Sequence, residues 1–188
     1  MARDALIERA AAEARGTHDG LRLRRTPRES DIDAVRRLAA GVGVFSKAEQ
    51  AVAVELIETR LRDGRKSGYH FAFADLGGRT VGYCVWGPVP MTAASWDLYW
   101  IVVDPACRGL GAGRRLLDEA ECDVARRGGG TVYVETSSRP DYARTRRFYR
   151  KAGYRTAARL RDFYAAGDDK IIYRKSVAGA SPRRARAV

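Results

Sequence analysis

Residues 101–117, IVVDPACRGLGAGRRLL, carry the clearest chemistry in the chain. A β-branched strand closes at Val103, Asp104-Pro105 turns the chain, and Arg108-Gly109-Leu110-Gly111-Ala112-Gly113 leads straight into a helix. Glycine at 109, 111 and 113 removes the Cβ atoms that would hold an anion away from the backbone. The first helical turn has N–H groups with no internal acceptor, and the positive end of the helix dipole adds to their pull. This is the composition of a phosphate cradle, with Arg108 and Arg114 supplying charge at its rim. A dinucleotide fingerprint would need glycine at 114, where arginine stands, and a P-loop would need Gly-Lys-Ser/Thr, which is absent. A glycine-rich turn can also do no more than let a helix pack closely on a strand, and the spacing alone leaves both readings open.

Other chemistries are short of parts. His18 and His70 are the only imidazoles, far apart in sequence, so a histidine-based metal cluster fails on supply and no metal site is expected. Neither histidine lies near a nucleophile-elbow sequence. Cys84, Cys107 and Cys122 are an odd number without close pairing, which argues against a disulfide framework and a zinc site. Cys84 reads as a core residue and Cys107 as a loop thiol.

The elements that must hold the cradle alternate along the chain. Leu21–Arg25 reads as a short strand, and Ser30 and Asp31 offer an N-cap for a helix reaching Gly41. Ser46-Lys47-Ala48-Glu49 has capping-box spacing and opens a second helix that ends near Asp63-Gly64. Tyr69–Asp75 and Thr80–Trp86 form a hairpin turning at Gly77-Gly78, followed by a strong aromatic and β-branched strand, Trp96–Val103. On that strand Asp97 and Tyr99 share a face with Ile101 and Val103 by simple alternation. Leu110, Leu116, Leu117, Ala120 and Val124 keep helical spacing up to Gly128-Gly129-Gly130. A strand over Thr131–Thr136, a helix over Pro140–Ala152 stopped by Gly153, and strands near Tyr154–Leu160 and Lys170–Ser176 complete a mixed α/β layer with helices covering a central sheet.

Length and charge bound the rest. The 188 residues suit one domain over 20–177, flanked by an amphipathic helix over 1–19 and a disordered basic tail over 178–188. The hydrophobic share of 45% and charged share of 31% are those of a soluble globular protein. With no apolar run of 18 residues and no apolar signal core, neither a membrane nor secretion is expected and the cytoplasm is the default. The 35 Lys and Arg against 23 Asp and Glu give +12, which favours an anionic ligand. The excess is scattered arginine, so nucleic acid is not the expected partner, and the Arg183-Arg184-Ala185-Arg186 tail is the one place such binding would use.

The cradle after Val103-Asp104-Pro105 resembles the acyl-CoA signature of the GNAT superfamily of N-acetyltransferases. Downstream, Phe148-Tyr149-Arg150-Lys151-Ala152-Gly153-Tyr154 is similar to that superfamily's late-helix Phe-Tyr…Gly-aromatic motif. The two occur in order with the expected helix and strand between them, and the element order matches over about residues 21–176. The resemblance implies an α/β fold with a mixed, mostly antiparallel central sheet and helices on both faces, acetyl-CoA or another acyl-CoA as co-substrate, and frequently a homodimer. It implies that the backbone of Ile101, Val102 and Val103 pairs with pantetheine, that the amides from Arg108 to Arg114 (Gly109, Leu110, Gly111, Ala112 and Gly113 between them) hold the pyrophosphate, and that Tyr149 protonates the departing thiolate. Tyr149 also suits plain packing between its helix and the sheet. Where many members carry asparagine and alanine on the late helix, Tyr142 and Thr145 stand here and offer hydroxyls to pantetheine instead. Glu135 lies near the end of the strand expected to splay from its neighbour and ranks first as base for the attacking amine, with Asp97 second. The expected acceptor is a small-molecule amine or amino acid. The alternatives are a protein lysine or N-terminus, or a non-catalytic CoA-sensing module.

Overall fold

The structure, a computed structural model, describes residues 20–180. The helix expected over residues 1–19 and residues 181–188 of the expected tail lie outside the described residues. Seven strands form one sheet: β1 (Arg22–Arg24), β2 (His70–Leu76), β3 (Arg79–Pro88), β4 (Ser95–Val103), β5 (Gly129–Ser137), β6 (Arg155–Ala165) and β7 (Asp168–Ala178). Their spatial order is β1-β2-β3-β4-β5-β7-β6. Every pairing is antiparallel except β4 with β5, which is parallel. Helices α1 (Asp31–Gly41) and α2 (Lys47–Asp63) cover one face, and α3 (Ala112–Arg126) and α4 (Ala143–Lys151) cover the other.

Two apolar clusters weld these layers together. Val35 and Leu38 of α1 and Ala53 and Ile57 of α2 pack on Phe71, Phe73, Tyr83, Val85 and Val102 of the sheet. On the other side Leu116, Leu117, Ala120 and Val124 of α3 meet Ala72, Cys84, Trp86, Leu98, Val132 and Val134. The helical spacing of the α3 residues and the period-two alternation of the strands produce these faces directly. The strength of α3's anchorage matters because its N-terminus begins the cradle.

The capping box forms as the spacing predicts: the Glu49 N–H donates to Ser46 Oγ at 3.2 Å and the Ser46 N–H to Glu49 Oε2 at 2.7 Å. At α1 the expected side-chain cap by Ser30 is absent. Asp31 is instead buried and accepts two bonds from the Arg24 guanidinium, each 2.8 Å, and one from the Arg28 N–H at 2.7 Å. A buried carboxylate needs such a partner, and this one ties α1 to β1. The last hairpin is longer than the sequence suggests, and β7 runs through Ala178, after which the Ala180 N–H donates to the Ala125 carbonyl at 2.8 Å.

One correction changes the site. Val85 pairs with Trp100 but Trp86 pairs with Leu98, so Tyr99 is an extra residue on β4, a β-bulge. Simple alternation therefore fails across it. Ile101 and Val103 pack with Trp96 and Leu98 against the α3 side, whereas Trp100 and Val102 pack on the α1–α2 side. Asp97, flanked in β4 by Trp96 and Leu98, and Tyr99, whose ring lies over Gly87, belong to the face opposite Ile101 and Val103.

Candidate active site

The parallel pair β4–β5 is joined only at Ser95–Thr131, Trp96–Val132 and Asp97–Tyr133. Beyond Asp97 and Tyr133 the two strands part, with β4 held on its other edge by β3 and β5 by β7. The facing edges of Leu98–Val103 and Val134–Ser137 thus lie open in a sheet whose other pairings continue. This is the splay expected from the sequence, and every candidate residue is positioned relative to it.

The cradle leaves β4 through a short turn, Pro105–Cys107, in which Asp104 Oδ1 accepts from the Ala106 N–H at 3.1 Å. Gly109 and Gly111 have φ of 88° and 77°, the left-handed region where a side chain is strained, and a Cβ built on either meets nothing within 4 Å. Leu110 and Ala112 turn their side chains into the core, anchoring the loop while leaving its backbone outward. Among the described residues the amides of Gly109 through Arg114 donate no hydrogen bond, and the next, Arg115, closes the first α3 bond onto the Gly111 carbonyl. Six consecutive free donors with empty space above two of them fit a diphosphate. Gly113 differs: a Cβ there would meet the Phe148 ring at 3.6 Å and Val103 at 3.7 Å, ordinary contacts that place this turn of α3 against β4 and α4. Arg108 is exposed beside the loop, and Arg114 is bonded to Asp118 at 2.7 Å.

Tyr149 lies under the splay. Its ring packs against Phe148 (5.3 Å), Tyr154 (5.6 Å) and Tyr173 (6.2 Å). Tyr173 belongs to β7 and pairs with Val134 of β5, whereas Cys84, the charge neighbour of the Tyr149 phenol, belongs to β3 and pairs with Ile101 of β4. The ring thus packs beside Tyr173 of β7, with the buried Cys84 of β3 near its phenol. Burial pushes it well above the ordinary tyrosine range, so it stays protonated at neutral pH. The packing reading describes its ring, and nothing in that packing conflicts with a donor role for its hydroxyl.

Further along the approach to α4, the Tyr142 hydroxyl donates to the Val44 carbonyl in the α1–α2 connection at 3.4 Å, and burial followed by nearby Glu49 pushes this phenol up to about 12. Thr145 is partly buried one turn on, without a hydrogen-bond partner among the described residues. Arg146 ties the start of α4 to the end of β5 by donating to the Ser137 and Arg139 carbonyls, each at 2.7 Å.

On the α1–α2 side of the splay lies a cleft of about 360 Å³ that brings Asp97 and Glu135 together. Tyr133, Ala158 and Ile172 line its floor. Asp97 is half-buried and has no hydrogen-bond or ion-pair partner among the described residues. Burial, and then the charge of Glu135, lift it above the usual aspartate range. Glu135 is held differently: its Oε2 is 2.7 Å from Lys170 Nζ. Lys170 was invisible as a site residue in the sequence. It reaches Glu135 because Ser137 pairs with Lys170 and Glu135 with Ile172, a diagonal on one face of the sheet.

This geometry has close relatives. A GNAT-family protein from Desulfovibrio desulfuricans, known by crystal structure, superposes with a TM-score of 0.82 and 45% identity over 84% of this chain and 99% of its own. The chain belongs to the GNAT family. A family model described as an acetyltransferase (GNAT) domain matches residues 67–156, from the start of β2 to the start of β6. The N-alpha-acetyltransferase RimI of Mycobacterium tuberculosis is 37% identical over 108 residues, 56% of this chain and 65% of that protein. The match to this curated relative thus spans just under two thirds of its length. An aminoglycoside 6'-N-acetyltransferase crystallised with coenzyme A shares the fold, with a TM-score of 0.66 and 18% identity over 86% of this chain and 99% of its own. Acetyl-CoA is the acetyl donor of the family.

Proposed function

We propose that the protein moves the acetyl group of acetyl-CoA to a primary amine by direct attack within a ternary complex. The observation that carries this reading is the run of six free amides leaving β4 beside an opened strand edge. The Gly109–Arg114 amides hold the pyrophosphate, and the unpaired edge of Ile101, Val102 and Val103 takes the pantetheine arm as an added strand. Thr145 supports that arm with a free hydroxyl, since the hydroxyl of Tyr142 is engaged with Val44. The thioester, which supplies the activated acetyl carbon, then lies in the splay between the Tyr149 phenol below and the carboxylate-lined cleft above.

Asp97 takes the proton from the incoming ammonium, because its oxygens are unpartnered and its affinity for a proton is raised. Glu135 contributes the charge that raises it, which reverses the order the sequence suggested. The amine nitrogen forms its bond to the thioester carbon as the carbon–sulfur bond breaks, Tyr149 gives its proton to the sulfur, and the second proton of the new amide nitrogen leaves through water to restore the tyrosine. A backbone amide at the β4 bulge polarises the carbonyl as charge builds on its oxygen.

The test is thiol release from acetyl-CoA over a panel of primary amines, with calorimetric CoA binding measured in parallel. Tyr149→Phe is expected to bind CoA as the native protein does while turnover falls by about 100-fold or more. A native protein that binds CoA but acetylates no amine would make the fold a CoA-sensing module instead.

A further inference from the structure

The cleft above the splay is negative in a chain whose net charge is +12. Among the described residues Asp97 and Glu135 are its only charged lining groups. The cation that reaches Glu135, Lys170, is already committed. Its ammonium sits 2.7 Å from Glu135, 3.8 Å from the centre of the Phe163 ring and 5.7 Å from that of Tyr164, and its side chain is 14% exposed.

That enclosure is built into the β6–β7 hairpin. The Asp162 N–H donates to Asp169 Oδ1 at 2.9 Å, Asp162 Oδ1 accepts from the Gly167 N–H at 2.6 Å, and Asp162 has a φ of 51°. Asp169 also takes an ion pair from Arg159. These bonds arch the hairpin and bring Phe163 and Tyr164 over Lys170. Besides the Lys170 ammonium, the charges that face Tyr164 from other elements are the carboxylates Glu135, Asp168 and Glu49. Arg139, on the way to α4, is spent on Asp141 at 2.8 Å.

We propose that this cleft selects a primary amine whose neighbouring carbon bears a neutral or cationic group, as at a peptide's amino terminus, and rejects the amine of a free amino acid. The proposal rests on the acetyl-transfer reading and names its acceptor class. A free amino acid carries a carboxylate one carbon away from its amine. Delivered to Asp97, that carboxylate would lie against two like charges, and among the described residues no cation lines the cleft to receive it. An amide carbonyl in the same place adds no charge. With one net negative charge left in the cleft, about 7 Å away at an effective dielectric of about 40, the repulsion gives roughly tenfold discrimination. Lys170 sets its size: it cancels part of Glu135 and is shielded from the ligand by its aromatic cover.

The experiment compares glycine, leucine and tyrosine with their amides as acceptors for acetyl-CoA, with kcat/KM expressed per ammonium form, the species Asp97 receives, and set against primary amines of matched basicity with uncharged side chains. CoA binding is measured on the same samples. The amides are expected to exceed the acids by about tenfold. Glu135→Gln should narrow that ratio by removing a cleft charge, and Lys170→Met should widen it by exposing one. Acids accepted as well as amides, or a ratio unmoved by both substitutions, would overturn the proposal while leaving acetyl transfer intact. Failure to bind CoA, with no amine acetylated, would instead defeat the acetyl-transfer reading. CoA binding without acetylation of any acid or amide would overturn the proposal, and extending the failure to the whole amine panel would overturn acetyl transfer as well.

Discussion

Substituting Gly111 by alanine separates the stability of the cradle from its purpose. Gly111 has a φ of 77° and a Cβ built on it meets no atom within 4 Å, so the substitution creates strain without a clash. Left-handed backbone costs an L-residue about 1–2 kcal/mol. For a chain of this size that corresponds to a fall in Tm of roughly 2–8 °C. The empty space over Gly111 is where the pyrophosphate is proposed to lie, so the methyl group displaces it from one or two amides. Hydrogen bonds to charged groups contribute about 1.5–3 kcal/mol each, so losing one or two weakens CoA binding by roughly 10- to 10⁴-fold. Gly78 supplies the control, because it too has a φ of 77° with nothing within 4 Å of an added Cβ, but it lies in the β2–β3 turn. Calorimetric titration of CoA into both variants, with thermal melts alongside, is the assay. The expected outcome is similar melting losses and a binding loss confined to Gly111→Ala. Equal CoA affinity in the two variants would refute the reasoning.

Three further outcomes follow from the charges and caps. Glu135→Gln removes the second cause of the raised Asp97 pKa, so the Asp97 carboxyl titration followed by ¹³C NMR should move to lower pH, and an unmoved midpoint would show that burial alone sets it. Burial, then Arg127, lowers His70 to about 4 from an ordinary 6.5. The unfolded chain therefore takes up this proton first. The His70 contribution is complete above about pH 6.5 and is lost as pH falls towards 4, amounting to about 1–2 kcal/mol after allowance for partial exposure. Urea titrations at pH 7.5 and 4.5 should show that loss, and His70→Gln should remove this part of it. Ser46→Ala deletes half of the α2 capping box and should cost about 1 kcal/mol, read as a Tm lowered by roughly 2–4 °C.

The sequence disclosed what depends on near neighbours. The cradle, the Ser46–Glu49 capping box and the β2–β3 turn are each complete within a few residues, and each stands where the spacing put it. What depends on register was hidden. The β4 bulge exists because Trp86 pairs with Leu98 while Val85 pairs with Trp100, and alternation within β4 alone cannot register an extra residue opposite another strand. Lys170 was missed for the same reason, since its place beside Glu135 comes from β5–β7 pairing across 35 residues of chain. The stretch Arg161–Asp169 falls between the last two strands expected from the sequence, yet Asp162, Asp168 and Asp169 hold it as an arch through bonds to Gly167, Ser137 and Arg159. The buried Asp31 displaced Ser30 as the organising residue of α1 because Arg24, on another element, stood opposite it.

The central claim is that the free donors between β4 and α3 grip a diphosphate. Titrating CoA into ¹⁵N-labelled protein and following each backbone amide tests it most directly. The Gly109–Arg114 signals should shift furthest and gain protection from hydrogen exchange, with Ile101–Val103 next. Shifts centred instead on the basic hollow formed by Arg62, Arg65 and Lys66 at the end of α2, with residues 109–114 unmoved, would contradict it.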